Sequence, residues 1–220
     1  MSNNLSLKEI HKKYDIKISR KFLDVGKEIN YNCWDLKQQG GDMIQWGYDK
    51  FYESILQEYR SKEINILEIG ILEGLKMFVL SKYLTRANFY GIDIDINNFN
   101  NYPHSKDFLD RVIDVQKIDS RNKNETNTYN YNFDLIIDDG DHNPESIILT
   151  FKNFYSKLNK GGIYIIEDVR KPSRLNLLKK FFDSKNINFD FMINKEQFSN
   201  NGNNFKVKEE GNGIIVIKKK

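Results

Sequence analysis

The stretches NILEIGILEG, residues 65–74, and FDLIIDDGDH, residues 133–142, decide the fold of this 220-residue chain. Each is a short apolar run that ends abruptly at carboxylates and glycine. Such a run is typical of a buried strand in a parallel sheet, whose carboxyl end opens onto a ligand crevice. We therefore expect the chemistry of the protein where these two strands end.

Further apolar runs predict strands around these two, with helical segments between several of them. The predicted strands are Ile64–Ile69, Asn88–Ile92, Val112–Ile118, Phe133–Asp138, Gly162–Ile166, Phe189–Ile193 and Gly213–Ile217. This alternation indicates an α/β, Rossmann-like fold: a seven-stranded, mostly parallel sheet flanked by helices, with the last two strands at an antiparallel edge. The Asn-rich run 122–132 predicts a mobile loop, and residues 199–204 a hairpin-like connection.

The N-terminal part of the chain predicts a helical cap. Apolar side chains recur at helical spacing over residues 5–29 and 44–60, and the aromatic stripe of the second segment favours packing onto the core. We expect residues 1–62 to form an N-terminal cap or lid and residues 63–220 to form the core. The length of the chain fits one compact domain overall.

Composition excludes several classes of protein. Lysine and arginine number 34 against 31 acidic residues, and a net charge of +3 is too small to indicate a nucleic-acid partner. The single cysteine, Cys33, excludes an internal disulfide framework and fits a reducing compartment. Residues 1–9 lack the apolar segment of a signal peptide, and no stretch approaches about 18 apolar residues. We expect a cytoplasmic protein without membrane insertion, and the oligomeric state stays open, a homo-oligomer included.

The first strand end has features of a cofactor site. Gly70 and Gly74 leave the start of the next helix bare enough for a ligand to approach the backbone. The spacing is not that of a dinucleotide site, and the Glu68 carboxylate repels phosphates, so a ligand with an ammonium or sulfonium group is favoured over NAD. Asp93 ends the second strand about 20 residues beyond the glycines, where a carboxylate binds two ribose hydroxyls.

Over residues 45–168 these motifs resemble those of class I S-adenosylmethionine-dependent methyltransferases. FDLIIDDGDH, together with GGIYIIED at 161–168, resembles a narrower group, the macrocin and mycinamicin O-methyltransferases with the cephalosporin hydroxylase-like proteins. The resemblance implies S-adenosylmethionine across the first two strand ends and a divalent metal, usually magnesium, beside a catalytic histidine. The metal ligands that the resemblance implies are Asp139, Glu167 and Asp168, and the implied base is His142. We also expect Asp139 to take part in catalysis. Asp119 and Ser120 follow the third strand, where we expect contacts with the adenine end of the cofactor, and we expect Asp138 to be a further cofactor contact.

Two departures from the family lie on the acceptor side of this motif. Asp141 stands where the family usually has serine, and residues 169–172 replace aromatic residues.

The residues alone also favour a metal, because Asp139, Glu167 and Asp168 follow neighbouring strands, and a hard cation relieves the repulsion between carboxylates. The alternative is that some of these acids cap helices or pair with lysines.

His142 precedes Asn143 and Pro144, which predict an N-cap and a first helical residue. A helix N-terminus and a nearby cation both disfavour imidazolium, so we expect a neutral histidine that accepts a proton. The alternative is a polar residue that caps the helix.

Together these features predict methyl transfer to a hydroxyl group. The N-terminal part mixes aromatic and amide side chains, which suit a sugar because its hydroxyls need hydrogen bonds and its C–H faces stack on rings. These side chains are Tyr31, Asn32, Trp34, Gln38, Gln39, Gln45, Trp46 and Tyr48. We expect a small-molecule or glycan acceptor: a nucleotide-linked sugar, a surface or capsular glycan, or a glycosylated metabolite. The alternatives are a metal-dependent hydroxylase or hydrolase, and a non-catalytic cofactor-binding subunit.

Overall fold

The computed structural model describes residues 5–14, 43, 47–101, 106–169, 172–193, 196–198, 204–206 and 213–220. The strands of this part are β1 (Asn65–Ile69), β2 (Asn88–Asp93), β3 (Val112–Lys117), β4 (Phe133–Asp138), β5 (Leu158–Ile166), β6 (Asp190–Ile193), β7 (Glu196–Phe198), β8 (Asn204–Lys206) and β9 (Gly213–Lys218). The helices are α1 (Leu7–Lys13), α2 (Tyr48–Leu56), α3 (Leu75–Tyr83), α4 (Asn97–Asn101), α5 (Lys106–Leu109), α6 (Lys123–Thr128), α7 (Pro144–Phe154) and α8 (Pro172–Ser184). Short 3-10 turns follow α2 and α7.

Seven strands form one sheet in the order β3-β2-β1-β4-β5-β9-β6. The first five strands run parallel, whereas β9 pairs antiparallel with both β5 and β6. This confirms the predicted mostly parallel sheet with an antiparallel edge. The chain moves outward from β1 on one side through β2 and on the other side through β4, so the switch point lies between β1 and β4.

Two buried clusters lie on opposite faces of the sheet, because side chains alternate along each strand. Along β1, Ile66 belongs to the cluster that contains α1, α2 and α3, whereas Leu67 and Ile69 belong to the cluster that contains α7 and α8. The three layers are therefore helix, sheet and helix. Among the helices of the described ranges, none is long and apolar enough to cross a bilayer.

The N-terminal helices pack onto the first face. α1 begins at a capping box in which Ser6 and Glu9 exchange hydrogen bonds, and Leu7 N donates to Glu53 Oε1 of α2 over 2.6 Å. The aromatic stripe is core, as predicted, since Tyr48 and Tyr52 are buried. The rest of the predicted first helix and the start of the second lie outside the described residues.

The Asn-rich run was wrongly predicted to be a loop throughout, since it contains α6. Asn122 caps this helix by accepting a hydrogen bond from Asn124 N, and Thr126 packs in the interior. Asparagine has low helix propensity in the interior but is favoured at an N-cap, and the capped turn packs against α7. Packing and capping thus outweigh the composition. The predicted connection at 199–204 falls between β7 and β8, which pair antiparallel; most of it lies outside the described residues.

Candidate functional site

A cavity of about 490 Å³ opens at the carboxyl ends of β1, β2, β3 and β4. Its walls are Ile69, Gly70, Leu72, Ile92, Asp93, Ile94, Ile118, Asp119, Ser120, Arg121, Asp138, Asp139, Gly140, Asp141, His142, Ser146, Ile147, Thr150 and Asp168. The volume is in the range of small-molecule sites. Polar or charged side chains make up 11 of the 19 lining residues and apolar side chains 6, a mixture that suits a ligand with both apolar and hydrogen-bonding parts.

Gly70 joins the two strand ends that frame the cavity. Its φ is +85°, and a Cβ atom at this position would lie 2.3 Å from the Asp139 backbone oxygen. Asp139 N donates to Ile69 O over 2.9 Å. Glycine is therefore required here by the close approach of two protein segments, a reason that the sequence did not indicate.

Two other residues predicted at the first strand end lie beside the cavity without lining it. Gly74 has a φ of +77° and forms the N-cap of α3. Glu68 is buried, and its Oε1 lies 3.9 Å from Lys76 Nζ. Their contact with a cofactor stays a prediction.

Asp93 ends β2 at the cavity wall. Its Oδ2 accepts a hydrogen bond from Leu72 N over 3.0 Å, and its Oδ1 accepts one from Asp95 N over 3.1 Å. The carboxylate thus anchors the loop after β1 as well as facing the cavity. Leu72 has a positive φ of 49°, an unfavourable conformation for a leucine, which this hydrogen bond supports.

Asp119 and Ser120 follow β3 and line the cavity at the carboxyl end of that strand. Arg121, which the sequence analysis missed, donates from Nε and Nη2 to the two Asp119 oxygens over 2.8 and 2.9 Å. This guanidinium lowers the pKa of Asp119 below its usual range. Arg121 also reaches Asp141 Oδ2 at 3.5 Å, and the Ser120 hydroxyl lies 2.8 Å from that of Thr150. The pattern that identifies Arg121 is its position directly after two predicted ligand-binding residues.

His142 lines the cavity next to two carboxylates. Its Nε2 is 3.9 Å from Asp139 Oδ1 and 3.7 Å from Asp168 Oδ2. Asn143 caps α7 and Pro144 is its first residue, as predicted. Arg174 of α8 donates to the His142 carbonyl oxygen over 3.1 Å.

Backbone strain concentrates around this site. Of the four non-glycine residues with positive φ in the described ranges, three line the cavity: Leu72, His142 and Asp168. Each such residue costs about 1–3 kcal/mol, and strain of this kind is found most often at active sites and ligand clamps. The cluster is independent support for a functional cavity.

Asp141 lies two residues before the N-cap of α7 and is therefore not an acid of the first turn of that helix. Its Oδ1 accepts from Asn143 N over 2.9 Å, and its Oδ2 accepts from the Ser146 hydroxyl over 2.7 Å. It therefore shapes the turn that carries His142.

Lys76 is the main residue that the sequence analysis missed. Its Nζ donates to Asp139 Oδ2 over 2.5 Å and to Glu167 Oε1 over 2.8 Å, and its side chain is only 9% exposed. Tyr52 adds a short hydrogen bond from its hydroxyl to Glu167 Oε1, and Tyr48 donates to Asp168 Oδ1 over 2.8 Å. The alternative in which some of the acids pair with a lysine is therefore realised for Asp139 and Glu167. A signal existed: Lys76 is the second residue of α3, where the helix dipole disfavours a cation, so a partner anion is expected.

The buried charges in this cluster change one another's pKa values. Burial alone would lower the pKa of Lys76, but the carboxylates of Asp139 and Glu167 raise it well above its usual range. Burial and the neighbouring Asp139 charge raise the pKa of Glu167 to about 7. Burial likewise raises the pKa of Asp138 to about 7. Lys76 is therefore a permanent ammonium among acids that outnumber it.

The donor set suits a hard cation in kind, since Asp139, Glu167 and Asp168 bring carboxylate oxygens together from two strand ends. Across the described part of the chain, however, no group of three or more His, Cys, Asp or Glu side chains is arranged as a metal-binding cluster. Lys76 bridges two of these three acids instead. The three metal ligands stay a prediction. Of the predicted sugar-facing side chains, Tyr48 is buried beside Asp168, and the other seven lie outside the described residues.

Comparison with known proteins confirms the resemblance predicted from the motifs. Residues 67–169 match a family described as a methyltransferase domain. An 8-demethyl-8-alpha-L-rhamnosyl tetracenomycin-C 2'-O-methyltransferase from Streptomyces olivaceus is 24% identical over 136 residues, which cover 57% of this chain and 35% of the relative. The demethylmacrocin O-methyltransferase of Streptomyces fradiae is 26% identical over 136 residues, which cover 57% of this chain and 33% of the relative.

Among solved structures, the MycE methyltransferase from the mycinamycin biosynthetic pathway, in complex with Mg and SAH, superposes with a TM-score of 0.61 at 17% identity. The match covers all of this chain and 56% of that one. A further structure of MycE also contains mycinamycin VI. The chain has the class I methyltransferase fold, and it spans about a third of the length of the curated relatives named here.

Proposed function

We propose that this protein is an S-adenosylmethionine-dependent O-methyltransferase that acts on a sugar hydroxyl and uses a divalent metal, Mg²⁺. One observation carries the proposal: at the switch point of a methyltransferase fold, His142 lies at the cavity wall within 4 Å of carboxylate oxygens of Asp139 and Asp168. An imidazole and carboxylate oxygens thus adjoin a cavity whose volume suits a small-molecule cofactor.

The cofactor is proposed to lie along the cavity from Gly70 to Ser120. Asp93 would accept hydrogen bonds from two ribose hydroxyls, and Asp119 and Ser120 would contact the adenine end between apolar walls such as Ile94 and Ile118. The Asp138 carboxyl group would complete the wall near His142. When bound, S-adenosylmethionine supplies an electrophilic methyl group, whose bonding electron pair stays on the sulfur as the methyl leaves.

On the acceptor side, His142 is proposed as the general base. Its Nε2 takes the proton of the acceptor hydroxyl as the oxygen forms its bond to the methyl carbon. Asp139, Asp168 and Glu167 would be the ligands of a divalent metal beside the imidazole. Bound Mg²⁺ would stabilise negative charge on the acceptor oxygen. Arg174 donates a hydrogen bond to the His142 carbonyl oxygen and would help to hold the backbone that carries the imidazole.

The sugar acceptor is supported by the named relatives rather than by the fold. Both curated relatives quoted above are O-methyltransferases, and one name specifies the 2'-oxygen of a rhamnosyl compound. The same fold also occurs in a carbon methyltransferase, CurJ, at a TM-score of 0.55, so the fold alone leaves the acceptor atom undecided. We propose a saccharide acceptor, either nucleotide-linked, within a surface glycan or part of a glycosylated metabolite, in a cytoplasmic enzyme whose residues 1–62 form the lid.

The cofactor proposal is tested by calorimetry with S-adenosylmethionine and S-adenosylhomocysteine. We expect micromolar binding to the wild type and about a hundredfold loss in Asp93→Ala, because two charge-assisted hydrogen bonds disappear. Asp95→Ala is the matched control, since Asp95 is exposed and lies outside the cavity lining. Absence of binding, or tighter binding of NAD, would contradict the assignment.

The reaction itself is tested with labelled cofactor against sugar nucleotides, oligosaccharides, catechols, RNA and peptides. We expect label in a saccharide, loss of turnover with a chelator and its recovery with Mg²⁺. Replacing His142 by alanine should lower the rate about 10²–10⁴-fold while cofactor affinity is retained. Label that enters catechol or RNA but no saccharide would overturn the acceptor, and full activity in excess chelator would overturn the metal.

A further inference from the structure

The carboxylate cluster at the ends of β4 and β5 already contains a positive charge that the chain supplies itself. Lys76 Nζ contacts one oxygen each of Asp139 and Glu167, at 2.5 and 2.8 Å, and lies 3.9 Å from Glu68 Oε1. These contacts place the ammonium on two of the three acids that are proposed to hold the metal.

We propose that Lys76 is an internal counter-ion that occupies the cation position of this cluster and that a divalent metal must displace it to bind. The inference rests on the proposed function, because it takes Asp139, Glu167 and Asp168 as the metal ligands. Magnesium bonds to oxygen at about 2.0–2.1 Å, so a metal held by Asp139 and Glu167 would lie within a few ångströms of an ammonium that contacts the same two carboxylates. An ammonium and a divalent cation also repel each other strongly in a buried site.

The surroundings of Lys76 allow it to leave. The residue stands in the first turn of α3, where the positive helix end opposes a cation, so the carboxylates alone hold the ammonium in place. A lysine side chain has a flexible four-carbon stem. Glu68, whose carboxylate lies on the β1 side of the cluster, provides a negative group toward which the ammonium can withdraw. The same carboxylates therefore have two arrangements, one in which they contact the Lys76 ammonium and one in which they bind a metal ion.

Metal affinity is then lower than the bare carboxylates would give, because each metal ion that binds must first expel the ammonium. Conversely, in the metal-free protein the Lys76 ammonium offsets part of the negative charge of these acids. A buried set of carboxylates without either cation would be strongly destabilising.

The experiment compares Mg²⁺ binding by calorimetry in the wild type, Lys76→Met and Lys76→Gln. We expect both variants to bind Mg²⁺ at least about tenfold more tightly than the wild type, since the competitor is gone. Lys82→Met is the matched control: it removes a lysine from the same helix, and Lys82 pairs with Asp107, outside the cluster. Without metal, the Lys76 variants should melt at lower temperature than the wild type, and Mg²⁺ should raise their melting temperature more.

Equal Mg²⁺ affinity in the wild type and in the Lys76 variants would overturn the displacement while leaving the methyltransferase and its metal intact. Absence of Mg²⁺ binding in every variant would overturn both the metal and the displacement, whereas cofactor binding tests the transferase separately.

A second measurement uses the wild type in case the variants do not fold. The ammonium resonance of Lys76, identified in the wild type by its through-space contacts with the side chains of Asp139 and Glu167, should shift over the same Mg²⁺ range that saturates the calorimetric signal. A resonance that stays unchanged while Mg²⁺ binds would overturn the proposal.

Discussion

Replacing Gly70 with alanine tests the contact that brings the ends of β1 and β4 together. The added Cβ would lie 2.3 Å from the Asp139 backbone oxygen and 2.8 Å from its carbonyl carbon, so one of the two segments must move. Alanine at a φ of +85° costs about 1–2 kcal/mol by itself, and forcing an atom into a packed region costs about 1–3 kcal/mol more. We therefore expect the free energy of unfolding to fall by about 3 kcal/mol.

Gly161 is the matched control for this change. Its φ is +80°, but a Cβ atom there would meet nothing within 4 Å. Gly161→Ala should therefore show only the conformational cost, about 1–2 kcal/mol. Urea denaturation of both variants at one pH gives the two free energies, provided that the m-values agree with the wild type.

The difference between the two variants isolates the close approach at the site. Because the displaced segment carries Asp139, Gly70→Ala should also weaken cofactor binding, whereas Gly161→Ala should leave it unchanged. If Gly70→Ala were as stable as Gly161→Ala, the contact between the strand ends would not constrain the fold, and the reasoning would fail.

Two further predictions concern buried polar groups. Tyr52→Phe removes the hydroxyl that donates to Glu167, so the free energy of unfolding should fall by about 1.5–3 kcal/mol. Tyr129→Phe is the control, because the buried Tyr129 hydroxyl has no hydrogen-bond partner within the described residues. The control should leave the free energy of unfolding unchanged. If urea denaturation gave the same loss of unfolding free energy for Tyr52→Phe and Tyr129→Phe, this prediction would be contradicted. Burial lowers the pKa of His11 to about 4 from 6.5. The unfolded chain therefore binds the proton first as pH falls, and His11 costs the wild type about 2.5 kcal/mol of stability at pH 4.5 relative to pH 7.5. His11→Leu should lose less stability over this range, and a constant difference from wild type between pH 7.5 and pH 4.5 would refute the assignment.

Much of the fold could be predicted because its signals are local. The runs that became β1, β4 and β5 are apolar and short, and buried parallel strands need no more than that. Asn143 and Pro144 specify the start of α7 through their own backbone chemistry. By contrast, the sequence did not reveal α6, because its stability comes from Asn122 as a cap and from packing on α7.

The sequence by itself determined which side chains stand at the strand ends, since parallel strands all place their carboxyl ends at one edge of the sheet. Asp93, Asp139 and His142 are at the cavity for that reason. Only the tertiary structure decided how the charges pair. Lys76 reaches Asp139 across 63 positions of the chain, and Glu167 across 91, because β1 and β4 are neighbours in the sheet and α3 begins above their ends. Pairing of charges depends on distance in space and on exclusion of water, and neither quantity is written in the order of the residues.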